Sequence, residues 1–146
     1  KVQSFEVDGK LKSELAGQEI RHFPDTDTLE IDHVRMHSYG KEGQLTVITA
    51  KTALSNGDGS EVQFFGDAHV VRDAYSDMSG KLVPKVELRS EFLYAVMDTE
   101  RITTPKPVEL IRGKDRFTAD AMDYDNINRV MELKGRVVGV LVPIKP

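Results

Sequence analysis

The chain has 146 residues, 39% of them hydrophobic and 30% charged, a balance that suits one soluble globular domain over residues 1–146 and argues against disorder. Lys plus Arg total 20 against 24 Asp plus Glu, and there is no cysteine. The acidic balance excludes a basic nucleic-acid footprint, and the lack of thiols removes disulfides, Cys-based zinc sites and Cys nucleophiles.

In chain order, Val2 to Val7 and Leu11 to Ile20 alternate loosely about Asp8-Gly9, a hairpin signal. His22 to Asp27 forms a turn. Leu29, Ile31, Val34 and Met36 give the next strand, and Tyr39 to Gly43 turns into Leu45 to Ala50. Ser55 to Gly59 is a turn of residues that tolerate positive φ. Val62, Phe64, Ala68 and Val70 then share one parity, with Phe65 the apolar exception on the other. Tyr75 to Gly80 reads as a loop. Val83 to Ala95 and Ile102 to Ile111 are strands, the second interrupted by Pro105-Lys106-Pro107, which cannot donate fully to a ladder. Phe117 to Val140 closes the chain as a hairpin, and Asp123-Tyr124-Asp125 reads as its polar turn. No segment has the spacing, cap and stop of a helix, so the chain is predicted to be all-β, with short antiparallel strands.

The pattern repeats. Residues 48–71 and 117–140 superpose without a gap at an offset of sixty-nine, setting Thr49 on Thr118, Ala50 on Ala119, Val62 on Met131, Phe64 on Leu133 and Gly66 on Gly135. Each copy reads as a strand ending in Thr-Ala, a polar turn, and an alternating strand broken by one glycine. A weaker third unit at an offset of twenty-nine puts Lys106 where the last copy has Gly135. A lone hairpin cannot bury its apolar face, so the units must share one interior. The face carries Leu45, Val47, Leu88, Met97, Ile102 and Val137 besides the residues above, and suits either an ordinary core or a groove for a flexible apolar ligand. Gly66 and Gly135 mark where the strands could bend to hold such a groove open.

Catalytic and metal motifs do not assemble. His33 and His37 lie four apart on a strand, about 13 Å, too far for one metal ion. Asp123-Tyr124-Asp125 starts like a calcium loop but meets Ile127 and Asn128 where that loop needs Asp or Asn and then Gly. No nucleophile is paired with a base, so no enzyme, metal or cofactor is expected.

Phe5 to Thr28, Leu88 to Leu110 and Phe117 to Gly139 together resemble, in order, the periplasmic domain of the LptC family of lipopolysaccharide export proteins, in the wider OstA-like group. The resemblance implies an open, twisted antiparallel β-jellyroll with a V-shaped section, built from repeated hairpins. It implies a non-enzymatic bridge that accepts lipopolysaccharide from an inner-membrane ABC transporter at its N-terminal edge. A soluble periplasmic bridge protein would receive the cargo at the C-terminal edge, towards the outer membrane. It further implies a periplasmic location with an N-terminal transmembrane anchor in the full-length protein, in keeping with a start at Lys1 rather than Met. On this reading Ile31, Val62, Phe64, Leu93, Met122, Met131, Leu133 and Leu141 face the lipid. Phe5, Gly9, Gly113, Val138, Val140 and Val142 belong to the partner-binding edges. Residues 1–80 carry 8 basic and 14 acidic side chains, which favours apolar capture over a basic cradle for lipid phosphates. The alternative is a closed β-sandwich that pairs with proteins through its edge strands and carries no lipid.

Overall fold

A computed structural model describes residues 2–5, 11–40 and 42–143. Among them every regular element is a strand: β1 (Val2–Phe5), β2 (Leu11–Ala16), β3 (Glu19–Phe23), β4 (Thr28–Tyr39), β5 (Leu45–Asn56), β6 (Glu61–Arg72), β7 (Tyr75–Ser76), β8 (Leu82–Val83), β9 (Val86–Val96), β10 (Arg101–Thr104), β11 (Val108–Arg112), β12 (Asp115–Ala119), β13 (Ala121–Asp125), β14 (Val130–Lys134) and β15 (Val138–Val140). Thirteen form one antiparallel sheet, while β7 and β8 make a small hairpin where a loop was expected. The Asp8-Gly9 turn lies outside the described residues.

The long central strands β4, β5, β6 and β9 pair in that order along their length. Each is interrupted once, and the interruptions line up. His33 of β4 sits at φ 51° between the pairs Asp32–Thr52 and Val34–Ala50. The register of β5 on β6 shifts between Thr49 and Thr52, and that of β6 on β9 between Phe65 and Ala68, leaving Gly66 and Asp67 as a bulge with φ of 82° and 48°. Beyond β9 the line passes through Pro105 to Pro107, Asp120 and Gly135 to Val137, where strands end and new ones begin. It divides the sheet into two leaves. On one side β4 pairs with β3, and β9 leads through β10 and β13 to β14. On the other, β4 leads through β2 to β1, and β9 leads through β11 and β12 to β15. Among the described residues the terminal strands of the two ends do not pair, so the sheet is open.

This bend explains where the sequence pattern succeeded and failed. Both repeat glycines fall on it with positive φ, a conformation glycine adopts at little cost. Ala50 is therefore not a strand end: β5 crosses the bend and runs on to Asn56. Crossing it also reverses the inward parity of three strands. On β4 the buried residues change from Leu29 and Ile31 to Val34 and Met36, on β5 from Ile48 to Ala53, and on β9 from Leu88 to Leu93. Leu45 and Val47, expected inside, consequently stand on the outer face of β5, and Leu45 is exposed. Asp123-Tyr124-Asp125 is β13 rather than a turn. The chain turns at Asn126–Arg129, where the Asp125 carboxylate accepts from the Asn128 side-chain amide and from the backbone N–H groups of Asn128 and Ile127, bonds that hold its pKa below the usual range.

Candidate functional site: the interior between the leaves

The leaves close on one hydrophobic core. Ile31, Val62, Phe64 and Leu93 are 0% exposed, and Met122 is buried with them. Together with Leu88, Val70 and Leu110 from the other leaf they form a single cluster. Packing loosens towards the C-terminal end. Met131 and Leu133 of β14 pair with Tyr124 and Met122, point inward and are only partly buried, as is Phe117 on the facing leaf. Gly139, opposite Phe117, leaves room for that ring: a Cβ there would approach it to 2.8 Å. Leu141 takes no part in the interior. It lies beyond β15, 67% exposed. Of the eight residues expected to line a groove, five are thus packed core, two stand at its loosened end, and one is on the surface.

Away from the bend the free rims of the two leaves meet, and there a narrow cleft of about 40 Å³ remains. Its walls are apolar, with Ile48, Val70, Leu88, Ala95, Met97 and Ile102 among them. Across it runs a polar clip that the sequence reading missed. Arg72, at the end of β6, donates through Nη1 to the Tyr124 hydroxyl at 2.8 Å and to Asn126 Oδ1 at 3.1 Å. The Tyr124 hydroxyl donates to the same amide oxygen at 2.8 Å, and Asn126 Nδ2 donates to Glu100 at 3.0 Å. Burial pushes the Tyr124 hydroxyl above its ordinary pKa, opposed by the charge and hydrogen bond of Arg72. A sequence signal existed: Arg72 falls on the parity of Val62, Phe64, Ala68 and Val70, a cation on an apolar face.

Over residues 1–142 the sequence matches the family described as "Lipopolysaccharide-assembly, LptC-related". The chain belongs to the LptC family. No curated protein matches it. The crystal structure of LptH, the LptA-homologous periplasmic component of the lipopolysaccharide transport device of Pseudomonas aeruginosa, is similar with a TM-score of 0.71 at 12% identity, covering 90% of this chain and 95% of that one. At that identity the likeness establishes the open β-jellyroll fold alone. Membership of the LptC family gives the chain a role in lipopolysaccharide transport, as a transport component and not an enzyme.

Set in that family, the two ends of the sheet gain meaning. Among the described residues, β1 and β3 at the N-terminal end each keep one unpaired side, and Phe5 and Phe23 are exposed. Gly9 lies outside the described residues. At the C-terminal end β14 and β15 are likewise bare. Val138 and Val140 pair with Thr118 and Arg116 and share their exposed outer face, and Val142 donates its N–H to Asp115 at 2.9 Å. Gly113 is part of neither end. It sits at φ 60° in the β11–β12 turn, and its N–H donates to the Lys85 carbonyl. Among the described residues no helix is long and apolar enough to cross a membrane, and no cluster of His, Asp or Glu could hold a metal ion.

Proposed function

We propose that this LptC-family chain is a periplasmic bridge that holds the acyl chains of lipopolysaccharide between its two leaves. It takes the lipid from an inner-membrane ABC transporter docked at the β1/β3 end and passes it to a soluble periplasmic bridge protein docked at the β14/β15 end. In the full-length protein an N-terminal helix anchors it in the inner membrane. The observation that carries this reading is the loosened end: Met131, Leu133 and Phe117 face inward yet stay partly open to solvent, between two strands whose outer edges are unpaired. Apolar side chains there offer a continuous path into the core, and bare edges offer strand addition. Photo-crosslinkers at Phe64, Met131 and Leu133 are expected to capture lipopolysaccharide, while those at Gln63 and Glu132, on the outer face, are not. Equal labelling of both sets would sink the reading.

One observation favours the second reading, a protein-interaction module without cargo. The interior around Ile31, Phe64 and Leu93 is filled by its own side chains. Under that reading, truncation after Val137 abolishes partner binding, and no lipid binds at any stage.

A further inference from the structure

Arg72 is 6% exposed, and among the described residues no carboxylate lies within ion-pair distance of it. Buried guanidinium groups are normally paired, because an uncompensated charge in a low-dielectric interior is expensive. The partners here are neutral: a phenol, an amide oxygen and the face of Tyr75, 5.4 Å from the guanidinium carbon. Nε is buried and makes no hydrogen bond. Glu100, on the same cleft wall, is engaged by Asn126. The other cations nearby are committed elsewhere: Arg101 pairs with Asp123 at 3.4 Å, and Arg129 with Glu42 and Asp77 at 3.6 Å each. The remaining walls are hydrocarbon apart from Ser38 and Thr46. A positive charge with spare donors, at the end of an apolar slot that opens between the leaf rims, is complementary to an anionic head on an apolar body.

We infer that Arg72 anchors an anionic group of the cargo lipid, a phosphate for which its planar fork of donors is suited, while the adjoining hydrocarbon lies along Ile48, Val70 and Met97. The inference rests on the lipid-carrying reading above and adds to it a charged contact that the acidic first half of the sequence argued against. Tyr124 and Asn126 hold the guanidinium while no lipid is bound, and the anion takes over from them. The binding event exchanges neutral acceptors for an anion and leaves the protein's covalent structure unchanged.

The test compares two probes on the whole chain: lipid A carrying both phosphates, and the same lipid after enzymatic removal of its phosphates. Wild type is expected to bind the phosphorylated form roughly tenfold more tightly, the scale of one charge-assisted contact. Arg72→Gln should erase that preference while still binding the dephosphorylated lipid, and Arg72→Lys should restore part of it. Inorganic phosphate at about tenfold excess over lipid should leave binding unchanged; displacement by it would assign the site to free phosphate and overturn the lipid anchor. Equal binding of both lipids by wild type overturns the anchor and leaves the carrying function standing, and this arm needs no variant that must fold. Equal loss of both lipids in Arg72→Gln would reduce Arg72 to a structural clip. Failure of wild type to bind either lipid overturns the anchor and the carrying function together.

Discussion

Two adjacent phenylalanines test the orientation of the central strand directly. Phe64 is 0% exposed and faces Leu93 and Ala53 across β6, inside the core. Phe65 is 39% exposed on the outer face, its ring 5.2 Å from that of Phe92 and tilted by 58°. Phe64→Ala removes a fully enclosed ring from a packed interior, which costs about 3–5 kcal/mol in lost transfer energy and residual cavity. Phe65→Ala removes a partly solvated ring and one tilted aromatic contact, together about 1 kcal/mol. For a chain of this size each kcal/mol moves the thermal midpoint by roughly 2–4 °C. The inner substitution should therefore lower it by roughly 6–20 °C, and the outer one by only a few degrees. Urea unfolding followed by far-UV circular dichroism gives the same comparison as free energies, with the slope of the transition checking that the denatured state is unchanged. Equal losses, or a larger loss at Phe65, would refute the assignment of the inner face. They would also remove the basis for placing Val62, Met131 and Leu133 on the lipid side.

The bend makes its own predictions. Gly66→Ala forces a Cβ onto a residue at φ 82°, costing about 1–2 kcal/mol of strain, while its new methyl meets only the flexible Lys51 chain at 3.0 Å or more. Gly135→Ala adds to the same strain a 2.5 Å approach to Asp120 Cβ, and should dislodge the Asp120–Arg136 pair. Hydrogen exchange should then show β14 and β15 opening locally, whereas Gly66→Ala lowers global stability; identical exchange patterns would contradict the distinction. His69 supplies a pH dependence: burial depresses its pKa below the ordinary histidine value, and its Nε2 is buried without a hydrogen bond. Its proton binds more readily in the unfolded chain, so the stability attached to its neutral form is complete above about pH 6.5 and is lost as pH falls below that value. His69→Gln should flatten the fall in urea midpoint between about pH 7 and pH 5, and an unchanged slope would rule His69 out as its source.

How much of this was legible in the sequence depended on distance from the bend. The repeat located it: Gly66 follows Ala50 and Gly135 follows Ala119 at the same spacing, and both take a positive φ on the bend, the first in a bulge and the second in a strand break, while Pro105-Lys106-Pro107 marks the same line by breaking a strand. Period-two reading also worked wherever a strand stays in one leaf, as on β6, where a two-residue bulge keeps Val62, Phe64, Ala68 and Val70 in phase. It failed where a single residue is absorbed. On β5 the phase reverses between Ile48 and Ala53, so Leu45 and Val47 were placed inside although Ile48 is the buried residue. Local periodicity carries no information about that reversal, because it is set by pairing with β4 and β6. Tyr124 was hidden for another reason. Flanked by Asp123 and Asp125 it looked like turn chemistry, but those carboxylates lie on the outer face of β13 and the ring points into the core. Leu141 was placed inside by extending the apolar parity and the family resemblance past Val140, where β15 ends, and it is exposed.

The packed interior constrains how such a chain can carry a lipid. The open volume in the rim cleft is about 40 Å³, well below the roughly 150 Å³ of a cavity that takes up one benzene. An acyl chain therefore enters only if the leaves part, and the fold concentrates the means of parting in two places. The bend holds the bulge at Gly66 and the strand breaks at Pro105 to Pro107, Asp120 and Gly135, where the ladder is already interrupted and rotation sacrifices the fewest hydrogen bonds. The rim holds the Arg72–Tyr124–Asn126 clip, whose exchangeable charge-assisted bonds are worth about 1.5–3 kcal/mol each in net terms. Separating the rims exposes apolar surface at about 25 cal/mol per Å², a cost that hydrocarbon from the cargo cancels when it covers the same surface. An anion that draws Arg72 away from Tyr124 would remove the clip at the moment the lipid arrives to replace the lost burial. On the proposed reading the guanidinium would couple recognition of the head to admission of the chains, and the loosened packing at Met131 and Leu133 makes the C-terminal end the less costly one to open.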